Sequence, residues 1–202
     1  MPEAANTQDR LLEAAIDVID QGGVKALRVR DISARAGVKE PSVYHYFGSR
    51  DGLIEAAQAQ RYIRGLLELT QVFDKLVHQC TTRQGFIETI RTVNTAVFAE
   101  NRQSVRAVRA DVLGSAMSRP ELKMAVAQAQ RESHNLLDST LTFAQSQGWV
   151  LPELDTMAFS VWYTGMVNGR LVLEIDPSQC SAEAWNKIAI DLTVSALCGS
   201  QK

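Results

Sequence analysis

An all-α chain of about nine helices is what this sequence predicts, on three observations. Apolar residues recur at helical spacing along most of the 202 residues. Turn formers are scarce: twelve glycines and five prolines are too few for an all-β chain, which needs a turn about every ten residues. Cap residues and helix breakers stand at intervals that delimit helices. Apolar residues at 46% and charged residues at 22% are ordinary for a globular protein and exclude disorder as the dominant state.

The elements follow in order. Leu12, Ala15, Ile16 and Ile19 share one face of a first helix. Asn6 or Thr7 caps it, Asp9 sits in the first turn where the macrodipole favours an acid, and Gly22-Gly23 ends it. Leu27-Arg28-Val29-Arg30 alternates like a strand but is too short; Val29, Ile32, Ser33 and Ala36 fit a second helix closed by Gly37. Pro41, lacking an N–H, suits the first turn of a third helix over 40–47. Two short helices joined through Gly37 form a helix-turn-helix pattern. Val38, Val43, Tyr46 and Phe47 are expected in its core.

Longer helices come next. Ser49 caps one over 50–77, and Thr81 or Thr82 caps another reaching about 100. Residues 101–117 make the next, and Ser118-Arg119-Pro120-Glu121 opens one that runs to 147 and stops at Gly148. Pro152 opens a helix to about 174, Asp176-Pro177 breaks it, and Ser181 caps a last helix to about 197.

No run of ~18 apolar residues exists, so no membrane span is expected. The acidic N-terminus lacks the basic-then-apolar start of a signal peptide. Cys80, Cys180 and Cys198 are odd in number and lack ligand spacing, which reads as reduced thiols in a cytoplasmic protein. No Gly-rich phosphate loop, metal-spaced His/Cys set or nucleophile elbow is present, so no catalytic residue, cofactor or metal is expected.

Net charge is −2, but it is unevenly spread. Residues 1–21 carry −4, residues 22–50 carry +4, and the remainder −2. The helix-turn-helix pattern therefore lies in the one basic segment of an acidic chain, a combination that points to phosphate binding.

Residues 10–53 carry a longer pattern. Arg10-Leu11-Leu12-Glu13-Ala14-Ala15 is followed by Gly22-Gly23, Arg30-Asp31-Ile32-Ser33 and Ala36-Gly37-Val38. Then come Ser42-Val43-Tyr44-His45-Tyr46-Phe47 and Ser49-Arg50-Asp51-Gly52-Leu53. Order and spacing resemble the N-terminal domain of the TetR family of transcriptional regulators. The resemblance implies a DNA-binding domain over 7–67 and a helical ligand-binding and dimerisation domain over 68–202. It implies that Ser42 and Tyr44 touch the DNA backbone, that His45 sits at the groove and that Arg50 contacts a phosphate. Lys39 can reach a phosphate or a guanine edge, and Glu40 and Pro41 complete the start of the recognition helix. Arg28 stands where the family often caps with Thr or Ser; the departure weakens the cap and adds a cation for a DNA phosphate contact. Lys39 and Glu40 also depart from the family's common Ser-then-basic pair.

The stretch 156–169 is uncharged, of a length expected to be buried on all sides. Ala158, Val161, Gly165, Gly169 and Val172 fall on one side; Phe159, Tyr163, Met166 and Arg170 fall on the other. The last helix has two apolar faces: Trp185, Ile188, Ala189, Leu192 and Ala196 on one, Ile190, Val194 and Leu197 on the other. Two faces fit a helix central to one core or a helix with a second partner. The resemblance implies the second, a four-helix dimer interface with Ala158, Val161, Gly165, Gly169, Val172, Trp185, Ile188 and Leu192 in it. The middle helices then enclose a small-molecule cavity, with Phe159, Tyr163 and Met166 as its wall and Phe98, His134 and Arg170 adding shape or polarity. The expectation is a cytoplasmic homodimeric repressor of an inverted-repeat DNA operator, released by a small-molecule inducer. The rivals are a ligand-independent architectural DNA-binding protein and an all-α small-molecule-binding protein or enzyme.

Overall fold

The computed structural model describes residues 6–199; Glu3 of the acidic start and the last three residues lie outside them. The described residues form ten α-helices and no strand: Thr7–Gly22 (α1), Val29–Arg35 (α2), Pro41–Phe47 (α3), Arg50–Val77 (α4), Arg83–Val97 (α5), Gln103–Ala116 (α6), Pro120–Ser146 (α7), Thr156–Gly169 (α8), Leu171–Ile175 (α9) and Ala182–Cys198 (α10). Single 3₁₀ turns occupy Val24–Ala26 and Glu100–Arg102. None of the described helices is long and apolar enough to cross a membrane.

Caps account for most boundaries. Side chains of Asn6, Thr82 and Ser181 accept the N–H groups of Asp9, Gly85 and Ala184 at 2.9, 3.1 and 3.1 Å. The expected helix from Pro152 to about 174 starts later and is broken. Gln145 donates to the carbonyls of Leu151 and Leu154, which holds residues 151–154 in a turn. Asp155 then caps α8 by accepting from Ala158 N at 2.9 Å. A break at Arg170 separates the five-residue α9.

The chain folds as two compact units. The first takes residues up to 63 together with 112–126; the second takes 64–111 and 127 onward. In the first unit, Leu11, Ala15, Ile16 and Ile19 of α1 pack with Leu27, Ile32, Val43, Leu53, Ile54 and Ala57. The inward phase of α1 runs through Leu11, which is fully buried, while Leu12 is only partly so. On α3, Val43 is fully buried and Phe47 packs beside it; Tyr46 is exposed, contrary to the expected core position. A seven-residue helix keeps one i,i+4 pair inward and leaves the rest outside.

In the second unit, Phe73, Val77, Phe86, Ile87, Ile90, Leu141, Trp149, Phe159, Val194 and Leu197 form the main core. Phe98, Val167 and Ala189 form a smaller cluster, with Trp185 and Met166 against it. Ala189 is thus on the inner face of α10, not the outer one. Helix α8 is not buried on all sides either: Phe159, Ser160 and Val167 are inside, while Met157, Val161, Trp162 and Gly165 are exposed.

Two glycines are required by the turns around α3. Gly37 has φ +68° at the bend between α2 and α3, a conformation side chains rarely adopt. Gly52 lies under the end of α3, where a Cβ would collide with the Phe47 carbonyl oxygen. That oxygen also accepts from Ser49 N at 2.8 Å, and Ser49 Oγ accepts from Gly52 N at 2.9 Å. We predict that Gly52→Ala is destabilising although alanine has the better helix propensity, by about 1–3 kcal/mol from forced displacement of backbone. Urea unfolding of the full chain checks the sign.

Candidate functional site

The first candidate surface is the outer side of α3. Val43 and Phe47 hold the helix inward, so Pro41, Tyr44, His45 and Tyr46 project outward and Ser42 is half-buried. Tyr44 is 52% exposed. The His45 and Tyr46 rings meet edge-on at 4.8 Å. Lys39 and Glu40, just before the helix, are exposed. Tyr46 joins this surface; helical spacing points it inward, and only packing at the end of so short a helix turns it out.

Arg28 and Arg50 do more than carry charge. Arg28 Nη1 donates to the carbonyl of Lys25 at 2.7 Å and offers α2 no cap through its side chain. Arg50 donates from Nε to Leu27 O at 3.2 Å and from Nη2 to Val24 O at 3.3 Å, and its Nη1 lies 3.3 Å from Asp51. Both guanidinium groups tie down the 3₁₀ turn before α2, so replacing either changes structure as well as charge.

The second candidate is a cavity of about 70 Å³ within the second unit, enough for several waters. Leu66, Thr70 and Phe73 of α4, Ile90, Asn94 and Val97 of α5, Ser133, Leu137 and Leu141 of α7, and Thr193 and Leu197 of α10 contribute to its wall. Of the expected pocket residues, Phe159 and Tyr163 line it, with Thr164 and Val167 from the same helix. His134 touches it at second hand, with Nε2 3.0 Å from Thr164 Oγ1; burial lowers its pKa and favours the neutral imidazole. Phe98, Met166 and Arg170 lie elsewhere: Phe98 and Met166 in the smaller apolar cluster, Arg170 over the Trp185 ring at 5.4 Å. Tyr163 Oη donates to Asn94 Oδ1 at 2.9 Å, and burial pushes its pKa well up against the opposing charge of Arg109.

Sequence reasoning missed the most polar part of this wall. Arg102, Arg106 and Arg109 line the cavity beside Val105. Their i, i+4, i+7 spacing on one face with a valine was the available signal. Arg106, 3% exposed, donates from Nε to Glu174 Oε1 at 2.7 Å and from Nη1 to Val97 O at 2.8 Å. Arg170 Nη1 reaches the same Glu174 oxygen at 3.7 Å and its Nε donates to Asn186 at 3.1 Å. One buried carboxylate therefore serves two buried guanidinium groups.

The third feature is an exposed apolar strip. On α8, Ala158, Val161, Gly165 and Gly169 are exposed, and Val172 of α9 is 73% exposed. On α10, Ile188 is 62% and Leu192 56% exposed, with Trp185 half-buried. A Cβ built on Gly165 or Gly169 meets nothing within 4 Å. Large apolar side chains left exposed on α8, α9 and α10 make these helices a candidate interaction surface.

Residues 11–57 match the family described as bacterial regulatory proteins, tetR family. The uncharacterized HTH-type transcriptional regulator YobS of Bacillus subtilis is 30% identical over 84 residues, 42% of this chain and 40% of that protein, so the match spans less than half of that relative. The HTH-type transcriptional regulator UidR of Escherichia coli K12 is 21% identical over 182 residues, 90% of this chain and 88% of the relative. Among solved structures, the transcriptional regulator FadR of Bacillus subtilis, in complex with stearoyl-CoA, shares the fold with a TM-score of 0.63, at 17% identity over 93% of this chain and 98% of that one.

The Arg106–Glu174–Arg170 group yields a stability prediction. Removing the carboxylate leaves two buried cations without their shared anion, so Glu174→Gln is expected to cost about 3–5 kcal/mol. Denaturant unfolding followed by circular dichroism measures it.

Proposed function

We propose, from the premise that this chain is a TetR-family DNA-binding transcriptional regulator, that it is a cytoplasmic homodimeric repressor of an inverted-repeat operator, released by a small-molecule inducer and without enzymatic activity. The observation that carries the reading is the outer surface of α3: Tyr44, His45 and Lys39 stand exposed on or beside a helix anchored by Val43 and Phe47, in the one basic segment of the chain. Polar side chains of this kind read base edges and phosphates in the major groove.

In this proposal residues 7–67 are the DNA-binding domain and 68–202 the regulatory one. Each identical subunit reads one half-site, and the strip on α8, α9 and α10 is the two-fold interface. The cavity takes the inducer. Helix α4 passes from the first unit to the second after residue 63, and α6 and α7 cross after residues 111 and 126, so these three helices are the covalent connections through which a ligand acts. A ligand shifts DNA affinity only if it binds one arrangement better than the other.

Footprinting on fragments of the host genome tests the reading: protected sites should form inverted repeats. With such a site, Lys39→Ala should weaken binding across sequences and reduce the slope of log K against log salt by about 1. Tyr44→Ala should weaken specific and random DNA alike, whereas His45→Ala should alter sequence preference. Wild-type affinity and salt slope in both Lys39→Ala and Tyr44→Ala would remove α3 as the recognition helix.

A further inference from the structure

We propose that the cavity of the second unit receives the anion of an apolar carboxylic acid, with the carboxylate against Arg102 and Arg109 and the hydrocarbon body toward Phe73, Leu141 and Phe159. The inference rests on the reading of this unit as ligand-binding and names the class of ligand.

Charge within the wall is one-signed. Three arginines line the cavity, and among the described residues no aspartate, glutamate or lysine does. Arg106 is occupied by Glu174 and by the carbonyls of Val97 and Ala99. Arg102 is only half used: Nη1 donates to Glu68 Oε2 at 3.0 Å, while Nη2 is buried with no hydrogen-bond partner. A buried N–H left without an acceptor is costly, and Arg102 is a wall residue of the cavity, so a turn of its side chain toward the cavity offers that N–H to a ligand oxygen. Arg109 lies two turns further along the same face, where its guanidinium donates to the Gly65 carbonyl and its charge acts on the Tyr163 hydroxyl.

Polarity is also ordered along the cavity. Arg109 and Arg102 are tied to α4 at Gly65 and Glu68. Phe73 is eight residues beyond Gly65, about 12 Å along the helix axis, and packs in the main apolar core with Leu141 and Phe159. A cationic end and an apolar end on one wall match a molecule with a charged head and a hydrocarbon body. A carboxylate meets guanidinium donors in charge-assisted, paired hydrogen bonds that an alcohol cannot equal. An ammonium head finds no carboxylate acceptor, because Glu68 and Glu174 are already paired with Arg102 and Arg106.

The test is a head-group series on the full chain. Hexanoate, octanoate and decanoate, the 1-alkanols and the alkylammonium ions of the same lengths are titrated calorimetrically, and operator release is followed by fluorescence anisotropy. At least one carboxylate is expected to bind about tenfold or more tightly than its alcohol, with no binding by the ammonium ion. Arg102→Gln should narrow the carboxylate-to-alcohol ratio, and ligand-free operator affinity reports whether the variant is folded; the wild-type series stands on its own if it is not. Equal or tighter binding of the alcohol or ammonium, no carboxylate binding, or an unchanged ratio in folded Arg102→Gln overturns the proposal. Operator release by the alcohol or ammonium arm alone overturns the anion while sparing the regulator reading. A carboxylate that binds without releasing operator supports the site and overturns its role as inducer.

Discussion

Helix α10 has to satisfy two apolar faces at once, and the second unit is organised around that constraint. Its inner face, through Ala189, Val194 and Leu197, completes both apolar clusters of the unit and part of the cavity wall. Its outer face, through Ile188 and Leu192, is left in water. Helix α8 divides in the same way, with Phe159 and Val167 inside and Val161 and Trp162 outside. Full burial of a large apolar side chain contributes roughly 1.5–3 kcal/mol. The single chain forgoes that gain along the whole outer strip, which is the physical basis for proposing a second copy there.

The glycines point the same way. Gly165, inside α8, costs helix stability, about 1 kcal/mol relative to alanine, and Gly169 is the last residue of that helix. Nothing inside the chain requires them, because a Cβ at either position meets open space. Gly52 and Gly37 are the contrast: one is demanded by the Phe47 carbonyl, the other by a positive φ. Glycines without an internal reason, on a strip of exposed apolar residues, fit close approach by another helix.

Local signals made most of the architecture legible in the sequence. Asn6, Thr82 and Ser181 each cap the helix that follows, and the 50–77 helix has the expected ends. These features depend on neighbours within one turn. The failures depend on distant residues. Pro152 starts no helix because Gln145 engages the carbonyls of Leu151 and Leu154 on either side of it. Arg50, whose charge suggests a phosphate contact, also holds the turn at Val24 and Leu27. The cavity was legible through Phe159 and Tyr163, whose helix is apolar, but not through Arg102, Arg106 and Arg109, because surface helices carry arginine at the same spacing. Which face of an arginine-bearing helix turns inward is decided by tertiary packing.

Whether the outer strip of α8 and α10 joins two copies of this chain is tested most directly by sedimentation velocity on the intact protein at micromolar concentration. The wild-type chain is expected to sediment as a dimer without DNA. Ile188→Lys combined with Leu192→Lys, at two positions already exposed in the single chain, is expected to shift the sedimentation coefficient to that of a folded monomer. A monomeric wild type, or a double variant that stays dimeric, would contradict the two-fold strip.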